Sequence, residues 1–122
     1  MSYDLTKFRK VKDERGELLA FSSLDLMDVR RCFFIVCNEG HWRGKHYHKK
    51  ASQMICVIDG ELDVRILEKN SESKMLMKQG DVFYQTPGIQ FEFMSRAKES
   101  KLIVFCDTDH DLEDYFSYET NT

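Results

Sequence analysis

The chain holds a single proline, Pro87, and only six glycines in 122 residues. Nothing in it reads as a Pro/Gly-rich linker, a low-complexity tract or an internal repeat, so the length fits one domain, residues 1–122. No apolar run approaches the roughly 18 residues of a membrane span, and the opening "MSYDLTKFRK" lacks the apolar core of a signal peptide. A cytoplasmic protein without a membrane partner is the expectation. A basic excess is missing as well. The net charge of -3 argues against nucleic acid as a general partner, so an anionic ligand has to be met by a local patch. Cys32, Cys37, Cys56 and Cys106 form neither a CxxC nor a zinc-ribbon spacing, and the expectation is four buried, reduced thiols.

What is present is a soluble globular composition, 42% hydrophobic and 32% charged, enough to bury a core at this length. Apolar segments of strand length recur: "ELLAF", "RRCFFIVC", "QMICVI", "ELDVRIL", "KMLMK", "DVFYQT", "IQFEFM" and "KLIVFC". In "ELDVRIL", Leu62, Val64 and Ile66 alternate with Glu61, Asp63 and Arg65, the period of a half-buried strand. Turn formers separate the segments at Asn38–Gly40, Asp59-Gly60, "EKNSES", Gln79–Asp81, Pro87-Gly88 and "SRAKES". Short strands at such spacing predict an all-β antiparallel sandwich or barrel, with at most a short helix near "HDLEDYFSY".

The chemistry concentrates in "GHWRGKHYHKKASQMICVIDG", Gly40 to Gly60. If "GKHYHKK" is extended, His46 and His48 fall on one face, with Lys50 after them and Lys45, Tyr47 and Lys49 opposite. Arg43, before the turn at Gly44, can reach the same mouth. Lys49, Lys50 and His41 read first as solvated charges; Lys50, on the imidazole face, is also a candidate substrate contact. An imidazole titrates near pH 6.5, so either histidine can take or deliver a proton close to neutrality. Two of them on one wall suit a reaction that lifts a proton from one carbon and sets it on the next. Arg43 offers a rigid fork for phosphate or a developing oxyanion.

The spacing Gly40, His46-x-His48, Gln53, Gly60 resembles the first signature of the cupin fold, a double-stranded β-helix or jelly-roll barrel, with Gln53 where the signature has Glu. Cupin metal centres add a histidine from a later hairpin, but "TPGIQFEFM" has none. Two imidazoles and a neutral amide fall short of the three or four ligands a transition metal wants, so no metal is expected.

Over nearly its whole length the sequence is similar to the nucleotide-sugar 3,4-ketoisomerases, cupins that include the enzymes acting on dTDP-4-keto-6-deoxyglucose. The matching stretches are "DERGELLAF", "VRRCFFIV", "RGKHYHKK", Gln53, Gly60 and "DVFYQTPG". The resemblance implies a cytoplasmic homodimer that interconverts 4-keto and 3-keto sugars through an enediol, without metal or redox cofactor, for deoxysugars such as those of O-antigen. It implies His46, His48 and Arg43 as catalytic residues. Arg15 and Tyr84 then bind substrate, and Gln53, Lys50 and Arg65 are counted with them. This chain departs from the relatives' tyrosines at Phe33 and Phe34, and from a Trp-His pair at Gln90 and Phe91. Two other readings use the same residues: a nucleotide-sugar 3,5-epimerase, which shares "RGxHY", and a cupin that binds sugar nucleotides without turnover.

Overall fold

The computed structural model describes residues 7–22 and 27–118, so part of the N-terminal stretch read above for a leader lies outside it. Ten strands follow one another: β1 Lys7–Asp13, β2 Gly16–Ser22, β3 Arg31–Asn38, β4 Trp42–Arg43, β5 Gln53–Asp59, β6 Glu61–Glu68, β7 Ser71–Lys78, β8 Val82–Gln85, β9 Gln90–Ser95 and β10 Glu99–Cys106. A 3-10 turn at Leu112–Asp114 is all that forms of the expected helix. Three residues close only one turn, and Asp111 caps it by accepting from the Glu113 N–H.

β1 and β2 form a hairpin of their own, while β3-β10-β5-β8 and β4-β9-β6-β7 make two four-stranded sheets. Every pairing between these strands is antiparallel. The sheets close over Ile55, Val57, Leu102 and Val104 on one side and Leu62, Val64, Phe91 and Phe93 on the other. This is the jelly-roll barrel expected from the turn spacing. Phe83 and Phe91 stack across it with centroids 5.0 Å apart.

The unbroken apolar run of β5 reflects its place: Met54 and Cys56 are as fully buried as Val57, because both faces of this strand are covered. β6 keeps its alternation, with Leu62 and Val64 inward. At the turn between them Gly60 has φ +92°, and a side chain there would run into Ser100, whose hydroxyl already serves the backbone of Glu61. β7 starts at Ser71, inside the segment expected to be a turn. Its first residues are polar, yet they pair in register with β6, Leu67 opposite Glu72, and lead into the expected "KMLMK", which places Met77 opposite Leu62. β1 falls outside the apolar segments altogether: it carries Phe8 and Val11 among lysines and is held by pairing with β2.

Three cysteines are buried, but Cys32 is exposed, a correction to the expectation for all four. It shares the outer face of edge strand β3 with Phe34 and Val36, which are 54% and 41% exposed. On the outer face of the second sheet Arg65 is buried among partners. Arg65 Nη1 lies 3.2 Å from Glu92 Oε1, its Nε 3.4 Å from Glu72, and its guanidinium 4.5 Å above the Trp42 ring. Gln90 donates to the other oxygen of Glu92 at 2.6 Å. Glu92 is fully buried, so Glu92→Ala leaves the Arg65 charge without its inner partner. The expected loss of stability is about 3 kcal/mol, read as a lower urea midpoint with unchanged slope.

Candidate active site

The loop after β4 is shaped by Gly44. Its φ is +74°, and a Cβ would stand 2.6 Å from the Phe91 carbonyl oxygen and 2.8 Å from the Phe93 ring. The His46 N–H then donates to the Gly44 carbonyl at 2.7 Å, a tight turn that swings the imidazole back over the barrel mouth. The stretch is a turn and a single bridge at Tyr47 rather than the continuous strand expected. It still brings the two histidines together, ring centroids 5.1 Å apart and edge to face.

They are not equivalent. His46 is half-buried and faces a cavity of about 190 Å³, whereas His48 lies behind it, 3% exposed. His48 Nδ1 is 2.7 Å from the Asp114 carbonyl oxygen. A carbonyl only accepts, so Nδ1 carries the proton and Nε2 turns toward the Gln53 amide, 3.4 Å away. The Asp114 carboxylate accepts from the N–H groups of Lys49, Lys50 and Ala51. Burial alone would raise that carboxyl, but these three donors outweigh it and hold it below the ordinary range.

The cavity's polar groups are Arg43, His46, Gln53, Gln85 and Tyr115, set against Phe33, Ile35, Ile55 and Phe91. Gln85 is committed to the Ile89 carbonyl at 2.7 Å. Burial, and then the neighbouring His48, push His46 down to about 4, so its imidazole is neutral across the physiological range. A neutral imidazole against an apolar wall, with an arginine fork at the rim, can take a proton from carbon and steady the oxyanion that results. Among the described residues no three His, Cys, Asp or Glu side chains gather as a metal site.

Arg43, His46 and Gln53 therefore line one cavity, with His48 touching two of its walls. The other expected contacts lie elsewhere. Tyr84 sits between the inward Phe83 and Gln85 on β8, so the pleat sends it to the opposite face. Arg65 is turned outward by the same rule on β6 and tied to Glu92. Lys50 is exposed, its N–H on Asp114. Arg15, in the β1–β2 turn, pairs with Asp13 at 2.6 Å and does not border the cavity.

Sequence reasoning missed Tyr115 and Gln85. Tyr115 packs on both imidazoles, at 4.6 Å from His46 and 4.9 Å from His48. No local pattern could announce it, because the contact spans nearly seventy residues of chain. Gln85 was open to detection, since it stands opposite Gln53 once β5 and β8 are paired.

Between about pH 6.5 and about pH 4 the unfolded chain binds a proton at His46 that the folded chain refuses. Folding is therefore weakened as the pH falls through that window and is unaffected by this group above it. His46→Gln is expected to flatten the corresponding part of the stability profile, and an NMR titration of wild type should place the His46 midpoint near 4. A midpoint near 6.5 would contradict the burial argument.

The family described as FdtA: WxcM-like, C-terminal, matches residues 1–121. A TDP-4-oxo-6-deoxy-alpha-D-glucose-3,4-oxoisomerase from Aneurinibacillus thermoaerophilus is 24% identical over 125 residues, covering 99% of this chain and 90% of its own. Among solved structures, the QdtA 3,4-ketoisomerase from Thermoanaerobacterium thermosaccharolyticum, a double mutant in complex with TDP, aligns with a TM-score of 0.78. Its identity is 25%, over 93% of this chain and 85% of that one. The rmlC epimerase of Mycobacterium tuberculosis, at 15% identity and a TM-score of 0.73 over 90% of this chain and 65% of its own, shares the fold. Matched along all but its last residue, the chain belongs to the FdtA: WxcM-like, C-terminal family.

Proposed function

We propose that the chain is a nucleotide-sugar 3,4-ketoisomerase, shifting the ketone of a nucleotide-linked 4-keto-6-deoxyhexose, such as dTDP-4-keto-6-deoxyglucose, from C4 to C3. The observation that carries this reading is the neutral His46 imidazole on an apolar cavity wall beside Arg43. A carbonyl acidifies the C–H next to it, and a base must be unprotonated and within reach to use that acidity. His46 takes the C3 proton, electrons move into a C3–C4 double bond, and the proton is set down on C4. The hydrogen leaves one carbon for its neighbour, so the reaction balances without an external electron acceptor.

Arg43 supports the diphosphate or the enediolate oxygen with its paired donors. His48 braces His46 from behind and orients Gln53, whose amide presents a fixed polar edge to the sugar. The substrate class is supported by the oxoisomerase relative and by the TDP bound to QdtA. We further read the protein as a cytoplasmic homodimer feeding deoxysugars into polysaccharides of the O-antigen kind. The dimer is supported by the exposed Phe34 and Val36 on edge strand β3. Phe34→Glu should then yield monomers by light scattering, whereas a monomeric wild type would contradict the dimer.

The reaction is tested by a proton NMR time course with dTDP-4-keto-6-deoxyglucose in D2O. A 3-keto product with deuterium at C4 is expected. Exchange at C3 and C5 with the ketone still at C4 would point to an epimerase, and ligand-induced shifts without turnover to a binding protein.

A further inference from the structure

Moving a ketone from C4 to C3 requires two proton transfers, and His46 accounts for one. Hydrogen passes from C3 to C4, and a second proton must pass from the C3 hydroxyl to the C4 oxygen. The group that does this must hold an exchangeable proton, accept one in return, and reach both oxygens. Arg43 keeps its protons, Gln85 is bound to the Ile89 carbonyl, and Phe33 has no hydroxyl. Among the described residues lining the cavity, the only hydroxyl belongs to Tyr115.

The chain is anchored on both sides of Tyr115. On one side Asp114 is anchored by three backbone donors. On the other, Phe116 forms an antiparallel bridge with Tyr47, N–H to carbonyl at 2.7 and 3.0 Å in the two directions. Between these anchors the Tyr115 ring packs on His46 and His48, with His110 beyond at 5.9 Å and Arg31 bonded to His110. The phenolic hydroxyl makes no hydrogen bond among the described residues, so it is available to a ligand. The ring is 36% exposed, which places it at the boundary between cavity and solvent.

We propose that Tyr115 is a catalytic residue of the isomerisation, the acid/base group that carries the proton between the two sugar oxygens. The inference rests on the ketoisomerase reading. As His46 removes the C3 proton, the Tyr115 O–H bond breaks and its proton forms a bond to the C4 oxygen, giving the enediol. As C4 takes the proton from His46, the C3 hydroxyl gives its own to the phenolate, the C3 carbonyl forms, and Tyr115 is restored. No electron leaves the substrate. The ring contacts with both imidazoles hold Tyr115 on the cavity that His46 serves, so the two proton carriers work on one bound sugar.

Tyr115→Phe keeps every ring contact and removes only the unpartnered hydroxyl. In the NMR assay its kcat should fall by about a hundredfold or more, with KM little changed. Site-specific ring fluorination of Tyr115, which acidifies the phenol while preserving its shape, should move the alkaline limb of the kcat profile to lower pH. A Phe variant with wild-type kcat, or a fluorinated enzyme whose alkaline limb stays in place, would overturn the assignment while leaving the ketoisomerase reading intact. A wild-type protein that forms no 3-keto sugar would overturn both.

Discussion

The Asp114 carboxylate, buried and accepting three consecutive backbone N–H groups, is the contact on which the site depends. Those donors belong to Lys49, Lys50 and Ala51, directly after His48, so the carboxylate fixes the exit of the histidine loop. The carbonyl of the same residue fixes the His48 tautomer. One residue of the C-terminal segment thus sets both the backbone path and the ring orientation of a loop 66 positions away. Hydrogen bonds to a charged acceptor are among the stronger ones, and here they replace the strand pairing that the loop lacks.

From that anchor the division of labour between the imidazoles follows. His48 is turned inward, its Nδ1 spent on Asp114 and its far edge on Gln53, which leaves His46 as the ring that meets the cavity. Phe33, Phe91 and their neighbours desolvate His46 and keep it unprotonated, while Arg43 sets a positive charge beside it on the same cavity. The basic residues of the loop serve different ends. Lys49 spreads over the Phe116 ring, 4.1 Å from its centre, and helps seat the C-terminal segment.

Much of the architecture was legible in the sequence, because a sandwich of half-buried strands writes itself as a period of two. "ELDVRIL" and "QMICVI" became β6 and β5 with nearly the expected limits. The alternation could have settled more: it already placed Arg65 opposite the inward Val64 and Ile66, and Tyr84 beside inward Phe83, and either fact excludes a shared cavity. β1 and the first half of β7, Ser71 to Ser73, were hidden because their polar residues carry little apolar signal and their strand state comes from a partner, while "KMLMK" already marked the second half of β7. Arg43, His46 and Gln53 were legible from their spacing. Tyr115 was not, since only the Asp114 anchor and the Tyr47–Phe116 bridge bring it to the histidines.

On the proposed function, a neutral His46 facing the cavity is the base on carbon. The most direct test is the turnover of dTDP-4-keto-6-deoxyglucose by His46→Asn, measured beside the affinity of that variant for dTDP. Formation of the 3-keto sugar is expected to collapse while nucleotide binding is retained. Turnover at the wild-type rate with equal affinity would contradict it and move the base to His48.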